Sequence, residues 1–243
     1  MNRKRFSVGL LAAVAIVAVT LGAGLTGAPK PASAAPPKAP SYTVVRLDDA
    51  NGAYVDVFAI GINDSGQVVG SLDDGGLRLA AYWQVTTGGT IRSTLTILNA
   101  APAATANGIN DSGEIVGAGN GLARYWSGPG ANPIVLPPLP GYDLSNALAI
   151  NNDGVICGTS SITGGGQQSV RPTAWRVNLV DGSPVVWGPV ELPNSGGESR
   201  ANSVNDTDVD GIALVAGYVL PDAVVWGVQS LTDGSLVVAS VPE

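Results

Sequence analysis

Four segments of this chain share one pattern. They are AIGINDSGQVVG from Ala59 to Gly70, ANGINDSGEIVG from Ala106 to Gly117, ALAINNDGVICG from Ala147 to Gly158, and ANSVNDTDVDGIALVAG from Ala201 to Gly217. Each is followed by a short run closing in tryptophan, at Trp83, Trp126, Trp175 and Trp226. The shared asparagines Asn63, Asn110, Asn151 and Asn205 are 47, 41 and 54 residues apart. Periods of this size belong to supersecondary units of about four strands, as in propeller blades. A chain so built must bury the same wedge four times.

The physics of one copy can be followed residue by residue. In Ala59-Ile60-Gly61-Ile62 small and large side chains alternate, which is strand period two. On that reading Ala59 and Gly61 share a face, as do Ala106 with Gly108, Ala147 with Ala149, and Ala201 with Ser203. A small-residue face lets another sheet come close. The next residues, Asn-Asp-Ser-Gly, are turn formers: the side-chain oxygens cap the turn, and glycine supplies a positive φ. A returning strand, the tryptophan strand, a Gly-containing turn such as Thr87-Gly88-Gly89 or Asp181-Gly182-Ser183, and a fourth apolar strand complete the unit. The run YTVVRL, Tyr42 to Leu47, resembles that fourth strand and precedes the first copy.

These features predict an all-β repeat protein of four hairpin-rich units. A small four-bladed β-propeller is the first expectation, with a β-sandwich, an open meander, or a half-ring pairing with a second chain as alternatives. The five fourth-strand segments against four of every other strand do not fit a simple closed ring. The expected organisation is a signal peptide at 1–34, a Pro/Ala-rich linker at 35–41 and one β-repeat domain at 42–243. Its repeats lie near 56–99, 104–140, 145–194 and 199–243.

The leader is read from its charge order. Arg3, Lys4 and Arg5 precede an apolar run from Phe6 to Leu25, and Ala32-Ser33-Ala34 follows. Basic, apolar, then small residues is the pattern of a secretory signal peptide, with cleavage expected after Ala34. An uncleaved anchor would need about 20 apolar residues, and Gly9, Gly22, Gly24 and Gly27 weaken such a helix. The expected location is secreted, or extracellular, with no stable membrane anchor after cleavage.

Charge then narrows the partners. Taking the leader's four basic residues from the chain's 12 leaves eight against 19 acidic residues, a formal charge of −11. Such a surface repels phosphate backbones, so nucleic acid is excluded as an expected partner. The single cysteine, Cys157, leaves no internal disulfide and reads as a small core residue. The chain has no histidine. Ser-His-Asp and Cys-His catalysis and histidine-ligated metal sites are therefore ruled out.

The phrase GINDSGQVVG, followed by a strand ending in tryptophan, resembles the HAF-repeat family of extracellular proteins, over roughly Ala59 to Trp226. That family takes its name from a His-Ala-Phe triplet before the closing tryptophan. Here Leu79, Leu122, Arg171 and Asp222 stand in the histidine's place. Alanine is kept as Ala80, Ala123 and Ala223, with Pro172 in the third copy, and Ala81, Arg124, Thr173 and Val224 replace the phenylalanine. The resemblance implies an extracellular β-repeat protein and brings no catalytic residue with it.

Three candidate sites follow from residue chemistry. The fourth turn, Asn205-Asp206-Thr207-Asp208-Val209-Asp210-Gly211, contains D-x-D-x-D-G. Alternate aspartates can converge on Ca²⁺ with glycine allowing the sharp turn, which makes Asp206, Asp208 and Asp210 the candidate metal ligands and Ca²⁺ the one candidate cofactor. Asp48, Asp49 and Asp56 form a second, less patterned acidic group. The register tryptophans read as packing between sheets, whereas Trp187, outside the register, is the better candidate for an exposed contact. The expected function is a secreted binding or surface-interaction scaffold for an extracellular protein or glycan, without a catalytic constellation. The rivals are a polysaccharide-active enzyme using two carboxylates among Glu114, Glu191, Glu198 and the aspartates, and a self-assembling structural protein.

Overall fold

A computed structural model describes residues 43–86, 92–99, 103–164, 170–207 and 210–239. The strands described below all lie in one compact unit, Val44–Glu243. The described residues contain no helix and form four antiparallel sheets of four strands, each a simple meander. The first holds β1 (Asp56–Ile62), β2 (Gln67–Asp74), β3 (Leu77–Thr86) and β4 (Arg92–Ile97). The second holds β5 (Thr105–Ile109), β6 (Ile115–Gly119), β7 (Leu122–Trp126) and β8 (Ile134–Leu136). The third is β9 (Leu144–Ile150), β10 (Val155–Ser161), β11 (Arg171–Val180) and β12 (Ser183–Glu191). The fourth is β13 (Ser199–Val204), β14 (Ile212–Val219), β15 (Asp222–Ser230) and β16 (Leu236–Ala239). Residues 87–91, with the expected Thr87-Gly88-Gly89 turn, the leader and the linker lie outside the described residues.

The core consists of layers between sheets. The first strand of the second, third and fourth sheets packs across the sheet before it. One layer joins Val69, Tyr82 and Ala80 of the first sheet to Ala106, Ile109, Ile115 and Trp126 of the second. The next joins Val116, Tyr125 and Ala123 to Ala147, Ile150, Ile156 and Trp175. The third joins Cys157 and Ala174 to Ala201, Val215 and Trp226. All four register tryptophans are buried, as is Cys157, whose thiol is pushed up to about 12 by that burial and is chemically inert at neutral pH.

Each indole also anchors its sheet to the chain segment that leads into it. Trp83 donates its Nε1–H to the carbonyl of Asp48 (2.8 Å), Trp126 to that of Asn99 (2.8 Å), Trp175 to that of Pro137 (2.7 Å) and Trp226 to that of Pro193 (2.8 Å). The acceptors in the last three cases directly follow Leu98, Leu136 and Leu192, which end the preceding repeat and are buried. Leu47 and Asp48 therefore stand where a previous repeat would end. The sequence led us to expect a strand there. Val44–Leu47 instead lies outside every sheet, because no third strand lies beside it to complete a ladder. Leu47 and Tyr54 pack over Trp83 and cap the first sheet.

The simple alternation expected in the first strands is also corrected. Each carries a bulge at the same place, so Ala59 pairs with Gly70 while Gly61 pairs with Val69, leaving Ile60 as the extra residue. The equivalent extra residues are Asn107, Leu148 and Asn202. One inserted residue changes which way the following side chains point. Ala106, Ala147 and Ala201 therefore face the preceding sheet. Gly61 and Gly108 face the following one, where an added Cβ would lie 3.5 Å from the Gly108 Cα and 3.1 Å from the Ala149 Cα respectively. The small residues form two columns on opposite sides of the strand, where the sequence suggested one.

Candidate functional site: the turn face

The four turns that open with Asn63, Asn110, Asn151 and Asn205 sit at one end of the unit, and their side chains form a continuous relay. Within each turn the asparagine Oδ1 accepts backbone N–H groups of its own loop: Ser65 and Gln67 on Asn63, Glu114 on Asn110, Asp153 and Val155 on Asn151, and Leu214 on Asn205. The other half of the amide reaches the next repeat. Asn63 Nδ2 donates to the Asn110 carbonyl (2.9 Å), Asn110 Nδ2 to that of Asn151 (3.0 Å), and Asn151 Nδ2 to that of Asn205 (2.8 Å).

A second relay runs parallel, one residue on. The backbone N–H of Asp64 donates to Asp111 Oδ1 (3.0 Å), that of Asp111 to Asn152 Oδ1 (2.8 Å), and that of Asn152 to Asp206 Oδ1 (2.9 Å). The Asp64 N–H and the Asn152 amide hold the Asp111 carboxyl below the usual carboxylate range. Among the described residues, no bond carries either relay from the fourth turn back to the first.

These turns surround an open polar depression of about 300 Å³, lined by the Asn-Asp or Asn-Asn pair of every repeat together with Ile62, Ile109, Ile150 and Val204. Residues from all four copies thus meet at one place. Beside it, Tyr125 donates to Glu114 (2.5 Å), and burial together with that carboxylate pushes the phenol's titration well above its ordinary range. The hydroxyl is consequently a fixed donor.

The structure places the sequence candidates as follows. Asp206 lies on the turn face, with Oδ1 accepting from Asn152 N–H and Oδ2 from Asn152 Nδ2 (3.1 Å). Asp208 lies outside the described residues. Asp210 is described, and its backbone carbonyl accepts from Gln229 (3.2 Å). Among the described residues, no three acidic or sulfur side chains are grouped so as to hold a metal ion. Asp48 and Asp49 shape the loop before β1 by accepting the N–H groups of Ala50 and Gly52. Glu114, Glu191 and Glu198 belong to three different repeats. They are bonded to Tyr125 and Asn110, to Asn194 and Arg171, and to Tyr218. Trp187 is only partly exposed and lies against Gly234 of the fourth repeat, where a Cβ would come within 2.7 Å of the indole. The relay was not anticipated; asparagine at one position in all four copies was the available signal.

The fold and the turn face together define a repeat protein of four stacked meander sheets, held in series by an Asn/Asp ladder. Comparisons with protein-family models, curated proteins and solved structures each returned no match.

Proposed function

We propose that this chain is a secreted, propeller-like β-repeat scaffold of the HAF-repeat type that binds an extracellular glycan or protein on its turn face, without catalysing a reaction. One observation carries the reading: four equivalent turns deliver amide and carboxylate groups to a single polar depression. Amides and carboxylates in a rigid array suit hydroxyl groups, and the acidic surface favours neutral or amino-bearing sugars over sulfated or phosphorylated ones. Sheets stacked face to face, each led by its first strand, support the propeller-like description. Glu114, Glu191 and Glu198, each bonded apart from the others, favour a scaffold over a two-carboxylate enzyme.

A glycan array probed with the full chain tests this. Binding to neutral or amino-bearing polysaccharides is expected, lowered at least about tenfold by Asp111→Lys with Asn152→Lys, a change equivalent to ~1.4 kcal/mol or more. Retained binding in that variant, or hydrolysis of the bound glycan, would overturn the assignment.

Calcium at Asp206, Asp208 and Asp210 is a proposal within the same reading. A cation there would have to share Asp206 with Asn152. If it binds, saturating Ca²⁺ at about 100 times its Kd adds ~2.7 kcal/mol, raising the melting temperature by roughly 5–10 °C. EDTA reverses the rise and Asp208→Ala abolishes it. A wild-type melting curve indifferent to both additions removes the metal.

A further inference from the structure

The interface between successive repeats occurs three times, always from the same two halves. The forward half is one face of a sheet, carried by Val69 and Tyr82 in the first repeat, Val116 and Tyr125 in the second, and Cys157 and Ala174 in the third, all buried. The rear half is the following first strand, carried by Ala106 and Ile109, Ala147 and Ile150, and Ala201 and Val204. Its three alanines are fully buried.

Among the described residues, each half is also present once without a partner. The fourth sheet shows its forward face to solvent: Ala216, which pairs with Val225, is exposed, and Val225 is 53% exposed. Strand β1 shows the rear half: Ala59 is exposed, and Ile62 is 70% exposed where Ile109 and Ile150 are 9% and 8%. The polar relay stops at the same two places. Asn205 and Asp206 hold the donors that the first three turns spend on the next repeat, and Asn63 and Asp64 hold the matching acceptors. Leu47 and Tyr54 cap the tryptophan side of the first sheet, while Ala59, beside Leu47, and Ile62 stay exposed.

From this we infer that the fourth sheet of one copy receives strand β1 of a second copy, repeating between molecules the contact made three times within one. The two halves lie on different surfaces, so the association is head to tail and closes into a ring or extends as a chain, according to the rotation between copies. The occupant is specified by the complementarity of the halves: Ile62 takes the place on Ala216 and Val225 that Ile109 takes on Val69 and Tyr82. Asn205 Nδ2 meets the second copy's Asn63 carbonyl. Ile62, Asn63, Asn205 and Asp206 also line the turn-face depression, so a second copy and a turn-face ligand share these residues.

Sedimentation velocity of the full chain over a wide concentration range tests it. The wild type is expected to show a weight-average mass rising to at least twice that of the monomer. Ile62→Asp removes one half of the interface and Val225→Asp the other. Both residues are exposed, so each variant stays folded, and each alone is expected to remain monomeric. Mixed together they recover one intact interface and form a 1:1 pair that grows no further. A wild type monomeric at every concentration overturns the inference, as does a mixture that forms no pair. A monomer whose melting temperature falls in either variant would instead mean that the two halves meet within one molecule.

Discussion

Replacing Trp126 by alanine is expected to cost about 3–5 kcal/mol, the range for removing a large buried aromatic from a packed core. In a unit of about 200 residues this lowers the melting temperature by roughly 6–20 °C. The indole is fully buried in the layer shared by the first and second sheets, against Val69, Tyr82, Leu98 and Ala106. The void therefore opens between two repeats. Its removal also leaves the Asn99 carbonyl without its donor. Trp126→Phe separates the two effects. It keeps most of the apolar area and loses the hydrogen bond, and a loss of only about 1–2 kcal/mol is expected. Differential scanning calorimetry of both variants checks the difference. Equal losses in the two would mean that the bond to the junction carbonyl, and not the packing, holds the layer.

The second large effect is expected from a single methyl group. Gly117→Ala places a Cβ 2.0 Å from the Thr105 carbonyl oxygen and 3.0 Å from the Ala106 Cα. Both are backbone atoms of the paired strand, so no side chain can swing aside. The same collision awaits an alanine at Gly70, Gly158 and Gly217, against the carbonyls of Phe58, Asn146 and Arg200. Overpacking of this kind costs about 1–3 kcal/mol where a core can adjust. Here the bulge itself must be undone, so the upper end or beyond is expected, with a melting temperature lower by about 6–12 °C. Gly128, where a Cβ would meet nothing within 4 Å, is the control: Gly128→Ala should leave the melting curve within about 0.5 kcal/mol of wild type. A stable Gly117→Ala protein would mean that the bulge is a local accident, not a requirement of stacking.

These two residue types show what could be read before any coordinates. The tryptophans were legible as packing groups because a residue recurring at one position in four copies must do one job four times. The glycines recurred just as faithfully, yet their reason stayed hidden. A bulge adds one residue without altering composition, and Ala59-Ile60-Gly61-Ile62 alternates in size whether or not Ile60 is extra. Reading that alternation as plain period two put both small columns on one side. The glycine facing the bulge was the clue, since only an unusually close carbonyl forbids a methyl group there.

The turn face was half legible. Asn63 and its equivalents were recognised as turn-forming because Oδ1 acts within its own loop, two to four residues away in the first three copies and nine in the expanded fourth. The amide nitrogen of the same side chain acts on a carbonyl 41 to 54 residues away, and no local pattern carries that information. Asp206 carries a contact hidden for the same reason. Its spacing to Asp208 and Asp210 suggests a cation loop, and Asn152, distant in sequence, bonds both of its oxygens. The segment Tyr42–Leu47 resembled a fourth strand in composition. A strand also needs a neighbour, which composition cannot supply.

The bond from each indole to the junction before it sets where one module ends and the next begins. A sheet cut out at its own first strand would lose the carbonyl that its tryptophan holds; a piece beginning near Leu98 would keep it. The segment able to be copied, gained or lost as a whole therefore starts some residues upstream of the sheet it builds. The covalent module and the architectural module are out of phase, and Leu47-Asp48 ahead of the first sheet shows that offset in the chain itself.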